Sequence, residues 1–538
     1  MTADNSDPRP MGAEPPDDSS SPEGPMVPMT TDAFPASPQP KRPKLVFQRE
    51  DHVATAYMVR DLLSAAPHLF DRLGPVRIVT DENGTRIERL DRDLVSIEAA
   101  KLADIERAVR SQNAVPSSYP ASLPQEACGK YLSLTGEFRL RLLTGIAYAP
   151  IVHSDGSFIT NGGYDVATGL WQANIPPLHV PDIPTTDQAK AALARLRHRF
   201  RTFPFADAET VICPDLGIPV VRQDVGPSLD ESSYLVGLLT AVVRPSLPLA
   251  PGLIIRAAFQ SGSGSGKGLL AKAACIVATG MTPHAITAGH EAAETDKRLI
   301  SALKEGAPFI FLDNVNSTSL RSDTLASAIT EPKAQLRPLG SSNTTPVMGR
   351  SFIILTGNGL NLSEDLVSRF VGVELDAKTD DPETRRMPSG FIEGVMHDRA
   401  SLLSDALTII RYGIQNPHPG LPLRNFDDWA KRCRDGLLAL GATDPVLRVA
   451  RTKANDPMRE HHTAIMNAWQ AEHGSDPVTV IGLAESVADL IAPKASRQAL
   501  AAKVRSLVDM RIGNRQLVVA QQATGNKATL YKLVVEPG

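Results

Sequence analysis

The segment LIIRAAFQSGSGSGKGLLAKAACIVATG, residues 253–280, joins an apolar β-prone run to a Gly/Ser loop and then to an apolar helical stretch closed by Gly280. Strand, glycine-rich turn and helix N-terminus in that order make a site for phosphate. Gly262, Gly264 and Gly266 let backbone N–H groups turn toward phosphate oxygens, with no Cβ in the way. Lys267 then adds a cation for the β- and γ-phosphates. Ser261, Gly262, Ser263, Gly264, Ser265, Gly266, Lys267 and Gly268 are the candidate nucleotide-binding positions, with ATP as the expected ligand. A flexible Ser/Gly linker is the bland alternative, but linkers are rarely flanked by an apolar strand and an apolar helix.

The loop departs from GxxxxGK[ST] twice. Ser261 holds the first glycine position, which asks only for a tolerable backbone angle. Gly268 replaces the Ser/Thr whose hydroxyl ordinarily ligates Mg²⁺, so the metal must rely on water or on a separate carboxylate. That carboxylate is Asp313, 46 residues after Lys267, at the end of the apolar run FIFL. A buried strand there would deliver Asp313 to its C-terminal edge as the Mg²⁺ residue. Asn314 stands where a water-activating Glu is common, and Glu291 and Glu294 are possible substitute bases. The run SFIIL ends in Thr356-Gly357-Asn358, placing Asn358 to orient water. Arg369, 11 residues further, suits a catalytic contact with the nucleotide of an adjacent subunit. The catalytic set is therefore Lys267, Asp313, Asn314, Asn358 and Arg369.

Outward from this core, 538 residues are too many for one hydrophobic core. Residues 1–44 hold eleven prolines and one aromatic, Phe34, and are expected to be disordered. Residues 1–40 carry −6 of a −4 total, so the remainder sums to +2 and the overall charge does not argue against a polyanionic partner. Lys41, Arg42 and Lys44 form a basic knot best read as solvated charge. Residues 45–205 read as an α+β N-terminal domain, with a helix at 51–66, strands at 76–79 and 85–90, and a helix through 94–109. Tyr148, Tyr164 and Trp171 could stack on bases, although filling a small β core suits them better. Residues 206–471 read as the nucleotide-binding core with a helical extension. Residues 472–538, two helices and a hairpin around Gly525-Asn526, look like a winged helix, with Arg497, Lys503, Arg505 and Lys527 as nucleic-acid candidates. Between Asp313 and SFIIL a turn-rich excursion reads as a hairpin bearing Lys333, Arg337 and Arg350.

Several classes are excluded or disfavoured. No apolar run approaches the ~18–20 residues of a membrane helix. A basic start followed by an apolar core is missing, so no secretory signal is expected. Four scattered cysteines form no CxxC pair, which points away from a disulfide framework or zinc ribbon and toward a cytoplasmic setting.

Taken together, DGSFITNGGYDVATGLW, GSGKGLLAKAACIVATG, FLDNVN, LRSDTLASAITE, TGNGLNLSEDLVSRF, VELDA, DPETR at 381–385 and FDDWAKRCRDGLLALGATDP resemble the AAA+ and superfamily 3 helicase ATPases of phages, plasmids and integrated elements. The resemblance spans about residues 150–445 and is closest to a mostly uncharacterised bacterial group in which Gly268 and Asn314 are at home. It implies an α/β P-loop AAA+-type ATPase core in a homo-oligomeric ring, acting on single-stranded or forked DNA during replication or maintenance of a mobile element, with replication partners. It also implies that the hairpin projects into a channel, with Lys333 and Arg337 facing nucleic acid. A nucleotide-gated DNA-binding regulator with weak or no hydrolysis is the alternative, and a defence or partition ATPase is a third.

Overall fold

The computed structural model describes residues 42–82, 84–109, 117–257, 264–287, 292–315, 320–337, 344–360, 362–379, 382–385, 388–449, 457–524 and 528–535. The acidic tail expectation falls outside them, as do Glu291, Ser261, Gly262, Ser263 and Lys527.

At the centre stands a five-stranded sheet in the order Ala285–Thr287, Phe309–Asp313, Phe352–Asn358, Gly252–Ala257, Phe370–Leu375. Every pairing is parallel. Runs such as FIFL and FIIL suit this place, because a parallel strand is covered on both faces and needs apolar side chains on both. The helix Lys267–Thr279 comes after strand Gly252–Ala257 in the chain and buries Leu270 and all of Ala273–Thr279. Helix Leu229–Val243, buried along its entire length, packs against it and against strand Phe370–Leu375.

This core is larger than the 206–471 assignment. Its apolar cluster begins at Ala149 and includes helix Thr186–Phe200, which lies along helix Arg399–Gln415. The boundary read at residue 205 thus falls inside one packed body. Thr185 and Gln188 close a reciprocal capping box at the start of helix Thr186–Phe200, each side chain bonding the other residue's backbone N–H. The four cysteines are free and buried.

The N-terminal part has its own core around Val59, Leu63, Val95 and Tyr131. The hairpin Pro75–Asp81/Gly84–Arg89 matches the expected strands. The expected helix through 94–109 instead ends at Leu102, and Asp104–Val109 is a strand. It pairs with Lys44–Phe47 on one side and Ser117–Pro120 on the other. Pairing with Lys44–Phe47, 60 residues away, overrides the local helical preference. Of the basic knot, Arg42 donates to the Ala100 carbonyl and Lys44 pairs with Glu106 at 2.5 Å. The aromatic residues weighed as base-stacking candidates are engaged in packing, Tyr148 in the core and Tyr164 and Trp171 half-buried against it. Tyr148 is buried with its hydroxyl on the Thr85 carbonyl, while Tyr164 and Trp171 pack on Phe70.

The C-terminal unit comprises helices Pro457–His473, Glu485–Ile491 and Arg497–Ser506 and a four-stranded sheet around the hairpin Arg515–Gln521/Leu530–Val535. Trp469, Val487, Val504 and Leu533 form its separate core, so packing starts some residues before 472. No helix among the described residues is long and apolar enough to cross a membrane.

Candidate functional site

The carboxyl ends of three neighbouring central strands carry the sequence-marked residues: Ala257 leads into the glycine loop, Asp313 closes its strand, and Asn358 closes the strand between them. Ligands of open parallel sheets gather at this edge, where the connections diverge.

The loop itself needs glycine. Gly264 and Gly266 have φ of +93° and +92°. A Cβ on Gly264 would lie 2.5 Å from the Glu383 Cα, and one on Gly266 would lie 2.8 Å from the Phe203 ring. The chain therefore runs tightly between two neighbours before entering the helix at Lys267. The first amides of that 13-residue helix have no carbonyl partners within it and carry its positive dipole end. Lys267 Nζ donates to the hydroxyl of fully buried Ser265 at 3.0 Å. Burial lowers the pKa of Lys267, and Asp313 partly offsets that effect. At Gly268 nothing lies within 4 Å of a hypothetical Cβ, so the missing hydroxyl is not a matter of space.

Asp313 is held by a residue that the motif reading did not include. The pairing Leu312↔Leu355 brings Asp313 beside Thr356. The Thr356 hydroxyl donates to Asp313 Oδ1 and accepts from the Asn314 N–H at 3.2 Å. Its signal was available in principle: Thr356 ends an apolar run of the same length as the one ending in Asp313. Asn314 leaves the strand at φ +56°, a left-handed conformation that Asn tolerates better than most residues. Asn358 Oδ1 is buried without a hydrogen-bond partner among the described residues. Such an atom ordinarily finds a partner. Ser265, Lys267, Asp313, Asn314 and Thr356 are thus linked by direct contacts or by charge, with Asn358 on the same edge. They offer a cation and free amides to anionic oxygen, and a carboxylate to a hard cation.

Arg369 is elsewhere. It precedes strand Phe370–Leu375, and its carbonyl accepts from the N–H of Gly252, the first residue of the central strand. It therefore sits at the amino edge of the sheet, about 17 Å along the strand direction from the carboxyl edge. Its guanidinium pairs with Asp365, and the side chain is 12% exposed. Arg424 donates to the Ser368 hydroxyl nearby and is 44% exposed. Within one subunit Arg369 cannot meet Lys267 and Asp313. Glu294, weighed as a base, pairs with Arg298 at 3.2 Å on its own helix.

The excursion after Asp313 is a hairpin, Lys333–Leu336 paired antiparallel with Thr345–Met348. Lys333 and Arg337 are exposed. Arg350 turns inward, donating to the carbonyls of Pro245 and Leu247, and burial lowers its pKa. Its place is that of a structural cation at the hairpin base. In the C-terminal unit Arg497, Lys503 and Arg505 are all exposed. At ~100° per residue, Lys503 and Arg505 project about 160° apart, so these bases flank the helix rather than forming one stripe.

No family model and no curated protein matches the chain. Two solved apo structures of the NrS-1 C-terminal region are similar to it, each with 12% identity and a TM-score of 0.30 over 62% of this chain and 84% of that one. At that TM-score the likeness is too slight to transfer a fold or a role.

Proposed function

We propose that the protein is an ATP-dependent nucleic-acid motor, a DNA helicase-like AAA+ P-loop ATPase that works as a homo-oligomeric ring in replication or maintenance of a mobile element. The observation that carries this is the split of the set across the sheet. Lys267, Asp313 and Asn358 are at the carboxyl edge, and Arg369 is at the amino edge, where a neighbouring copy could present it. The strand order, with the loop-bearing strand between those ending in Asn358 and Leu375, supports the core assignment, and the hairpin with exposed Lys333 and Arg337 supports the nucleic-acid partner. The helix–helix–hairpin order of the C-terminal unit supports the winged-helix reading.

In this reading the loop amides and Lys267 hold the triphosphate. The Asp313 carboxylate at the carboxyl edge is an oxygen donor that fits a hard divalent cation. Bound Mg²⁺ would neutralise charge on the phosphates. Asn358 orients water through its free carbonyl oxygen, and Asn314, lacking a carboxylate, cannot take a proton from it. Arg369 of an adjacent subunit would stabilise transition-state charge after leaving Asp365, a contribution typically of ~10³–10⁵ in rate.

Gly268 and Asn314 favour a second reading, a nucleotide-gated DNA-binding regulator with little hydrolysis. Phosphate release with and without single-stranded DNA, together with the assembly mass, separates the two. The motor reading expects DNA-stimulated turnover in an assembly several times 57.7 kDa. Tight ATP binding and retained DNA binding without phosphate release would select the regulator.

Thr356 is a positioning residue in either reading. Thr356→Val keeps shape but removes the hydroxyl that orients Asp313. The Mg²⁺ concentration for half-maximal nucleotide binding is expected to rise ~10–100-fold, as for other ligand-orienting partners. An unchanged Mg²⁺ dependence would show that the hydroxyl only closes the strand end.

A further inference from the structure

Between the N-terminal hairpin sheet and helix Ala292–Glu305 lies a cavity of about 480 Å³, with Pro346 of the Lys333–Met348 hairpin on its wall. Arg72 lines it and is 4% exposed. Its guanidinium donates to the Lys304 carbonyl at 3.0 Å, while its Nε has no acceptor. No carboxylate pairs with it among the described residues. The exposed Arg89 is on the same wall, anchored by a hydrogen bond to the Leu73 carbonyl at 2.8 Å, and Lys304 adds a third cation. Glu305 is the sole acid of the lining, and it accepts from Ser301 at 3.2 Å.

A buried charge is normally paired, because removing it from water is costly. Here burial, together with the charge of Arg89, lowers the pKa of Arg72 to about 10. One carbonyl at a helix C-terminus compensates only in part. The surroundings nevertheless keep the guanidinium in place: Gly306 has φ +75°, and a Cβ there would lie 2.9 Å from Arg72 Cζ. The charge of Arg72 is thus not matched by a paired carboxylate among the described residues. The volume is more than ten times the ~30 Å³ of one water molecule, room for a phosphodiester with its sugar. Val76 and Ile87 supply an apolar wall for that sugar.

We propose that this cavity binds a phosphodiester of a nucleic-acid strand, with Arg72, Arg89 and Lys304 as its donors, so that the strand tracks from the hairpin onto the N-terminal sheet. The proposal rests on the nucleic-acid partner proposed above and extends it to a surface that no motif marks.

The test is the anisotropy of a labelled oligothymidylate titrated with the full-length protein across a salt series. Arg89→Ala and Lys304→Ala change exposed side chains, and Arg72→Met keeps the apolar stem. Each variant is expected to weaken binding and to lower the slope of log K against log salt by about 0.7, the loss of one single-strand phosphate contact. Unchanged affinity and slope in the Arg89 and Lys304 variants overturn the proposal. So does a result in which inorganic phosphate raises the melting temperature of the wild type but not of Arg72→Met while strand binding is unchanged, since the cavity then holds only a free anion. Lys267→Ala separates the two levels. If it loses nucleotide binding while the cavity variants bind the strand normally, the cavity proposal fails alone. If the wild type binds no strand, the cavity proposal fails together with the nucleic-acid reading.

Discussion

Lys267→Ala is expected to weaken ATP binding ~10–100-fold and to lower any turnover by ~10²–10³-fold. The ammonium emerges at the start of helix Lys267–Thr279, half-buried and, among the described residues, bonded to the Ser265 hydroxyl. It has already lost part of its hydration, as its lowered pKa records. A charge-assisted hydrogen bond in such a place contributes ~1.5–3 kcal/mol, and each ~1.4 kcal/mol is tenfold in affinity. Losing one preorganised donor where charge develops typically costs ~10²–10³ in kcat. Alanine also removes the cation whose charge interacts with that of Asp313. Titration with a fluorescent ATP analogue and a phosphate-release assay would check both numbers. Equal ATP affinity in wild type and variant would remove the glycine loop from the nucleotide site. Because alanine is a good helix former, the start of the helix should persist.

Arg197→Ala is expected to lower folding stability by ~3–5 kcal/mol, the largest single-residue loss we anticipate. Arg197 and Glu231 have side chains only 5% and 3% exposed. They meet in a two-pronged pair, Nε to Oε1 at 2.8 Å and Nη2 to Oε2 at 3.0 Å. The same guanidinium donates to the carbonyls of Arg222, Gln223 and Val225. It thereby ties helix Thr186–Phe200 to helix Leu229–Val243 and to the chain leading into it. Alanine leaves a buried carboxylate and three carbonyls without their donor. Glu231, whose pKa burial already raises, would then take up a proton on folding more readily. Denaturant unfolding at neutral pH measures the loss. The double variant Arg197→Met with Glu231→Leu should lose less than Arg197→Ala, because it buries no unpaired charge. A loss under about 1 kcal/mol would mean that water replaces the guanidinium.

Much of the nucleotide-site proposal is legible in the chain because each part is local. An apolar run followed by Asp, by Thr-Gly-Asn or by Gly-Ser-Gly-Lys is a strand with a polar tip, and the structure has strands at all three places. The hairpin after Ile329 is legible for the same reason, with alternating burial Ala334 in and Gln335 out. What escaped depended on distant partners. Strand Asp104–Val109 is made by pairing with Lys44–Phe47, and Arg350 looked like a free cation until Pro245 and Leu247 came beside it.

By itself, the sequence marked the residues proposed to hold phosphate and metal, the apolar runs that become the strands around them, and the division of the chain into several units. Composition and periodicity act over a few residues, and those features are of that range. Only the tertiary structure decided which strand ends are neighbours. It placed Thr356 on Asp313, set Arg369 at the opposite edge from Lys267, turned Arg350 inward, and buried Arg72 with no paired carboxylate among the described residues. Sheet order and burial come from contacts between residues far apart in the chain, whose energies depend on the whole packed body and leave no local pattern to read.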